Sequence, residues 1–132
     1  MNNSTRFYKC EACGNVVGMI EDAGVPLYCC NQPMQHLEPK LSRDCDCDDL
    51  PKVHVNGKRI HVNVGECKHD MDNNRHTGWV YLETNQGGHR KSLCKENRPE
   101  ICFELSADEA PHRVFAYCNK HGLWQDNLQA GL

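Results

Sequence analysis

The sequence predicts a mostly-β protein in two parts, a very small metal-held domain followed by a β-sandwich. Three observations carry this. Near the N-terminus stand two close cysteine pairs, Cys10-x-x-Cys13 and the adjacent Cys29-Cys30, with fifteen residues between them. From Pro51 onward apolar and polar residues alternate, around an Asn56-Gly57 pair. Residues 5 to 36 show no helical period of any length, and no long helix follows them.

Residues 5 to 36 read as short strands with turns at Gly14, Gly24 and the cysteine pairs. Two pairs of thiolates brought together by a short loop make a tetrahedral sulfur cage, which suits iron or zinc. The second pair is the unusual one. Neighbouring residues reach one ion only if the backbone between them turns, so Cys29 and Cys30 predict a sharp turn. A segment of under about 40 residues cannot bury enough apolar surface to fold alone, and a structural metal is a usual remedy.

Residues 38 to 50 are polar and acidic, with Asp44-Cys-Asp-Cys-Asp-Asp at their centre, and are expected to form a linker. Val53 and Val55, then Ile60, Val62 and Val64, alternate on either side of Asn56-Gly57, a hairpin signal. Further strands are expected at Gly78 to Thr84, Ile101 to Leu105 and Arg113 to Tyr117, with turns at Asn85-Gln-Gly-Gly and Asn97-Arg-Pro-Glu. Several short strands without a long helix argue for a small sandwich. A chain of 132 residues accommodates a very small domain joined to one of about 90 residues. The expected boundaries are 1–37, a linker over 38–50, and 51–132.

Ten cysteines raise the possibility of a secreted disulfide scaffold, but Met1-Asn-Asn-Ser-Thr-Arg lacks the apolar run of an export signal. A reducing cytoplasm is expected, where spaced cysteines more often bind metal. No stretch approaches the roughly 18 apolar residues of a membrane span. A net charge of −3, from 15 basic and 18 acidic residues, leaves no basic footprint for nucleic acid.

A second constellation lies in Tyr117-Cys118-Asn-Lys-His121-Gly-Leu-Trp124. A cysteine and a histidine three positions apart at a strand end can turn towards one metal, and sulfur with imidazole favours iron, copper or zinc. His69 and His76 flank a polar turn and offer two more imidazoles. Each feature has a plainer alternative. The four N-terminal cysteines suit a purely structural zinc site, and Cys118 with His121 suits a buried thiol beside a surface histidine. Trp79 and Trp124 read as core packing, and Cys45, Cys47, Cys67, Cys94 and Cys102 carry no assigned role.

The stretch Phe7-Tyr-Lys-Cys-Glu-Ala-Cys-Gly-Asn-Val-Val-Gly-Met-Ile, with Gly24-Val-Pro-Leu-Tyr-Cys-Cys and Gln32-Pro-Met, resembles desulforedoxin and the N-terminal domain of desulfoferrodoxins. His69-x-Met, His76-x-x-Trp79, Gln86-Gly-Gly-x-Arg90-Lys91 and Cys118-Asn-x-His-Gly-Leu-Trp124 resemble superoxide reductases, in order and approximate spacing. Together they resemble the two-iron superoxide reductases. That resemblance implies an Fe(Cys)4 centre at Cys10, Cys13, Cys29 and Cys30, with zinc as a possible substitute. It implies an immunoglobulin-like sandwich whose loops hold a catalytic ferrous iron through equatorial histidines and an axial cysteine. Cys118 would be the axial ligand, and His69, His76 and His121 three equatorial ones. The implied reaction is one-electron reduction of superoxide to hydrogen peroxide without release of dioxygen. Rubredoxin is the implied electron donor, and a homodimer through the small domains the implied assembly.

One departure concerns the fourth equatorial ligand, which the family takes from a Glu-Lys-His motif before an apolar residue and proline. Aligned without gaps back from Val64-Gly65, this chain has Cys47-Asp48-Asp49-Leu50-Pro51 there. Asp49 stands in place of the histidine, and Asp48 reverses the charge of a lysine that attracts the anionic substrate. A carboxylate ligand at Asp49 would favour ferric over ferrous iron. His54, within Lys52-Val-His-Val, and water are the other candidates, and His61 reads as a surface or satisfied histidine. The alternative function is a non-catalytic or impaired redox or metal-binding member of the same family. The His69 to His76 spacing is one residue longer than the common pattern, which a turn can absorb.

Overall fold

The structure, a computed structural model, describes residues 6–21, 23–41, 52–63, 78–93, 100–118 and 122–128. Every regular element among them is a strand, as a mostly-β reading requires. The chain divides into two compact units, Met1–Glu38 and Pro39–Leu132.

In the first unit, β1 (Arg6–Lys9) lies between β2 (Val16–Met19) and β5 (Gln35–His36) in an antiparallel sheet, while β3 (Tyr28–Cys29) and β4 (Gln32–Pro33) form a separate short hairpin. Among the described residues of this unit only Phe7 and Cys10 are buried. Backbone bonds from Leu37 to Phe7 (2.8 Å) and from Met34 to Leu27 (2.7 Å) tie the later segment down.

The second unit is a sandwich. One sheet has the order β10-β9-β12-β13-β6, built from β9 (Gly78–Thr84), β10 (Gly87–Leu93), β12 (Pro111–Cys118), β13 (Gly122–Asn127) and β6 (Lys40–Leu41). Its pairs are antiparallel except β13 with β6. Lys40 and Leu41, within the stretch expected as linker, thus add an edge strand. The other sheet has the order β11-β8-β7, from β7 (Lys52–Asn56), β8 (Arg59–Asn63) and β11 (Glu100–Glu104). Alternation sends Ile60, Val62, Ile101 and Phe103 inward to meet Val80, Leu82, Val114 and Ala116 of the larger sheet. Two largely antiparallel sheets around one such core give the immunoglobulin-like class of architecture.

The β7–β8 hairpin turns on Gly57-Lys58 rather than Asn56-Gly57, because Asn56 still pairs with Arg59. Gly57 has a φ of 65° at the first turn position, where glycine suits a two-residue hairpin loop. Strand β10 escapes sequence patterning because Gly-Gly-His-Arg-Lys-Ser-Leu does not alternate. Its charged side chains suit a sheet edge, where they discourage pairing with another chain. Gly88 is there for space: a Cβ at this position would fall 2.0 Å from the Tyr81 hydroxyl.

The outer face of the larger sheet is also layered. Arg113 grips Glu83 through two bonds of 2.7 and 2.8 Å and lies over Phe115, and Trp79 stacks on Tyr117 with centroids 5.3 Å apart. Trp124, paired with Ala116 and therefore on the core-facing side of its strand, is buried beneath the Lys40 ammonium. The core-packing role expected of Trp124 matches its burial, whereas Trp79 is half-buried and stacks on Tyr117 outside the core. The Trp124 indole nitrogen is buried without a hydrogen-bond partner among the described residues.

At one end of the sandwich Glu109 is 6% exposed and accepts bonds from Thr84 Oγ1 (2.7 Å) and the Ser106 amide (3.2 Å), with His89 Nε2 at 2.9 Å. These donors, Thr84 foremost, hold its carboxyl down at about 2. Lys58 Nζ binds the Glu109 carbonyl at 2.8 Å, and the Leu105 amide binds the Lys58 carbonyl at 2.8 Å. The Gly57-Lys58 turn and the Thr84–Gly87 turn therefore share one end.

Candidate metal centres

Cys10 follows β1, and the chain folds back at once: the Gly14 amide bonds to the Cys10 carbonyl and the Cys10 amide to the Asn15 carbonyl, both at 2.8 Å. This tight turn returns Cys13 towards Cys10. The adjacent pair is handled differently. Cys29 pairs with Gln32, leaving Cys30 and Asn31 as the two-residue loop of a hairpin, with φ of 55° and 63°. Positive φ at both loop positions is the signature of a type I′ turn. Asparagine tolerates this region and cysteine does so less readily, so Cys30 is held there at a cost of about 1–2 kcal/mol. The turn predicted by adjacency is therefore this one.

The ligand atoms of Cys10, Cys13, Cys29 and Cys30 all lie within 4.8 Å of one another, the one such His/Cys/Asp/Glu group among the described residues. Cys13 Sγ is 3.7 Å from Cys29 Sγ, which is 3.9 Å from Cys30 Sγ. A disulfide needs about 2.05 Å, whereas sulfurs bound tetrahedrally at about 2.3 Å stand about 3.8 Å apart. These separations are those of four ligands around one ion, and the residues fit a tetrathiolate iron or zinc.

Proton chemistry agrees with that use. The backbone N–H of Cys13 lowers the Cys10 thiol to about 7, while the Cys13 and Cys29 sulfurs push Cys30 up to about 12 and Cys13 raises Cys29 likewise. One thiolate forms readily and further negative charge is resisted. A cation relieves that resistance, so binding releases protons and strengthens as pH rises. Asn15 Nδ2 donates to Cys29 Sγ at 3.6 Å, a contact sequence reading misses because asparagine is not a ligand type.

For the second constellation the strand ends are informative. Gly78, which opens β9, pairs with Cys118 and Leu93, and Cys118 pairs with Gly122, which opens β13. In the smaller sheet Asn63 pairs with Lys52 and Glu100. All of these lie at the end opposite the Glu109 network. Cys118 therefore closes its strand where the chain re-enters after His76 and after His121, and where it leaves after Asn63 towards His69. His69, His76, His121 and Asp49 lie outside the described residues, as do Asp48, Cys45, Cys47, Cys67 and Cys94, and for Cys118 the backbone alone is described.

His54 is described and exposed, paired across the β7–β8 ladder with His61, which pairs in turn with Cys102 of β11. The three form a row on the outer face of the smaller sheet, and their ligand atoms do not gather as the four cysteines do.

The comparisons with known proteins agree with this architecture. The desulfoferrodoxin family model matches residues 46–127, and the model of the desulfoferrodoxin N-terminal domain matches residues 2–37. A desulfoferrodoxin homolog of Archaeoglobus fulgidus is 33% identical over 95% of this chain and 98% of its own length. A desulfoferrodoxin of Nitratidesulfovibrio vulgaris is 30% identical over 95% and 98%. Among solved structures, the superoxide reductase from Treponema pallidum superposes with a TM-score of 0.76, at 25% identity, over 94% of this chain and 98% of that one. With its cysteine-built N-terminal unit, its sandwich, and both family models matched in the expected order, the chain belongs to the desulfoferrodoxin family.

Proposed function

We propose that this protein is an iron-dependent superoxide reductase with two iron centres. In it, Cys10, Cys13, Cys29 and Cys30 hold one iron, and Cys118 with His69, His76 and His121 holds the other. The observation that carries this reading is the meeting of strand ends. Cys118, the re-entry points after His76 and His121, and the exit towards His69 share one end of a sandwich similar to that of a solved superoxide reductase. An iron held there would supply the single electron that superoxide takes up, with two protons from solvent, to give hydrogen peroxide.

The chain's own residues set the terms. Cys118 would hold the iron through its thiolate, whose electron donation would favour reduction of the substrate, as thiolates do in haem enzymes. As the remaining ligand Asp49 is favoured over His54, because His54 sits within the β7 ladder and would have to leave it. Asp48 in place of a cation removes electrostatic steering, so encounter with the anionic substrate should be slow for this kind of enzyme. We further infer a small domain over 1–37 and a sandwich domain over 51–132 to which Lys40–Leu41 of the intervening stretch adds an edge strand, rubredoxin as donor, and a cytoplasmic setting. No helix among the described residues is long and apolar enough to cross a membrane. Ile20 (98% exposed) and Tyr28 (67%), with Val17 and Val25, support a homodimer through the small unit.

The test is superoxide decay after pulse radiolysis with the iron-loaded, reduced protein. Decay above buffer that disappears in Cys118→Ala is expected, and Asp49→His should accelerate it. A parent protein indistinguishable from buffer, with activity appearing in Asp49→His, would make it a non-catalytic member of the family.

A further inference from the structure

We propose that Asn15 sets the reduction potential of the tetrathiolate centre, by donating its side-chain amide to the Cys29 sulfur. This rests on the reading of Cys10, Cys13, Cys29 and Cys30 as an iron site. Asn15 is no ligand, and no role follows for it from the four-cysteine pattern.

Asn15 Nδ2 lies 3.6 Å from Cys29 Sγ, within range of an N–H···S bond. Its position is fixed by its own backbone, whose carbonyl takes the Cys10 amide at 2.8 Å in the turn that carries the first cysteine pair. The acceptor is equally fixed, since Cys29 is held in the β3–β4 ladder opposite Gln32. One side chain therefore bridges the two cysteine-bearing loops. The sulfurs are not served alike. Cys10 draws on the backbone amides of Cys13 and Ala12, which a change of side chain other than to proline leaves in place. Cys29 receives a side-chain donor, which one substitution does remove.

Four thiolates around ferric iron carry a net charge of −1, and adding one electron makes it −2 with no bond broken. An N–H directed at sulfur stabilises the more negative state, so it raises the potential; hydrogen bonds to sulfur are among the recognised determinants of such potentials. Asn15 is thus a positioning residue for charge. Removing its donor should make the centre harder to reduce, and replacing the amide by a carboxylate should do so further.

The experiment is spectroelectrochemical titration of the full-length iron-loaded chain, followed at the ferric tetrathiolate absorption. Asn15→Leu should shift the midpoint to more negative potential, Asn15→Asp at high pH should shift it further, and Asn15→Gln should recover part of the loss. An unchanged midpoint in Asn15→Leu with parental absorption would overturn the proposal. A second measurement needs no variant: with cadmium-113 in the site, the Asn15 side-chain amide proton should show scalar coupling to the metal through Cys29. Absence of that coupling overturns the proposal. Failure of the iron reading looks different, as a chain that takes up zinc and never shows ferric absorption while the cadmium coupling persists.

Discussion

In the N-terminal unit the described residues bury one large side chain, Phe7, beside Cys10, whereas the sandwich gathers nine apolar residues from two facing sheets into a single cluster. Burial of Phe7 contributes about 2–3 kcal/mol, while a structural metal in a small thiolate site contributes about 10–16 kcal/mol. Ion and fold are therefore inseparable in the first unit. In the second, the core forms the scaffold, and the strand ends Asn63, Gly78, Cys118 and Gly122 lie at its margin. One unit needs a metal to be a structure, and the other, on the proposed reading, is a structure that presents a metal.

That contrast can be broken most forcefully by removing metal. Chelation under reducing conditions should abolish amide protection in β1 to β5 and leave β8, β9 and β12 protected, as read by hydrogen exchange. Persistent protection of β1 without metal would show a self-sufficient small unit. The reverse experiment is Phe103→Ala, which removes a fully buried ring from the sandwich. It should cost roughly 3–5 kcal/mol of sandwich stability by denaturant unfolding while the tetrathiolate absorption stays intact. Coupled loss of both signals would mean that the units do not fold independently.

The Glu109 network sharpens the same comparison through pH. Its carboxyl is lowered from 4.5 to about 2 in the folded state, so its stabilising contribution is complete above about 4.5 and is lost as pH falls towards about 2. Glu109→Gln should cost roughly 2–3 kcal/mol at neutral pH and flatten the sandwich's acid dependence over that window. The small unit should release its metal on acidification in parent and variant alike, because protons compete for its sulfurs. The smallest effect is expected at the type I′ turn. Asn31→Gly relieves a left-handed residue and should stabilise the metal-loaded small unit by roughly 0.5 kcal/mol in thermal unfolding.

Much of this was legible in the residues. Alternation at Val53, Ile60 and Val62 gave the first hairpin of the sandwich because one face of each strand meets the core. Strand β9 follows its expected bounds because it combines β-branched and aromatic residues with clear turn residues behind it. Strand β10 was hidden, since an edge strand of glycines and charges has no apolar period, and β6 was hidden because two residues carry no period at all. The hairpin turn shifted by one residue because glycine satisfies the first position of a two-residue loop as well as the second.

The cysteine quartet was legible because four ligands of one kind at close spacing restrict the geometry strongly. Asn15 and the Thr84–Glu109–His89 network were not, since they join residues whose proximity depends on tertiary packing. Asp49 marks a different limit. An alignment can say which residue stands where a ligand is expected, and chemistry then says that a carboxylate would bind while favouring ferric iron.

The most direct measurement is the hydrogen peroxide formed per superoxide consumed, with the iron-loaded protein and an excess of one-electron donor. A reductase yields one peroxide for each superoxide, and that yield is expected here, with Cys118→Ala falling to the uncatalysed level. One peroxide for every two superoxides, unchanged by donor or by Cys118→Ala, would contradict the account.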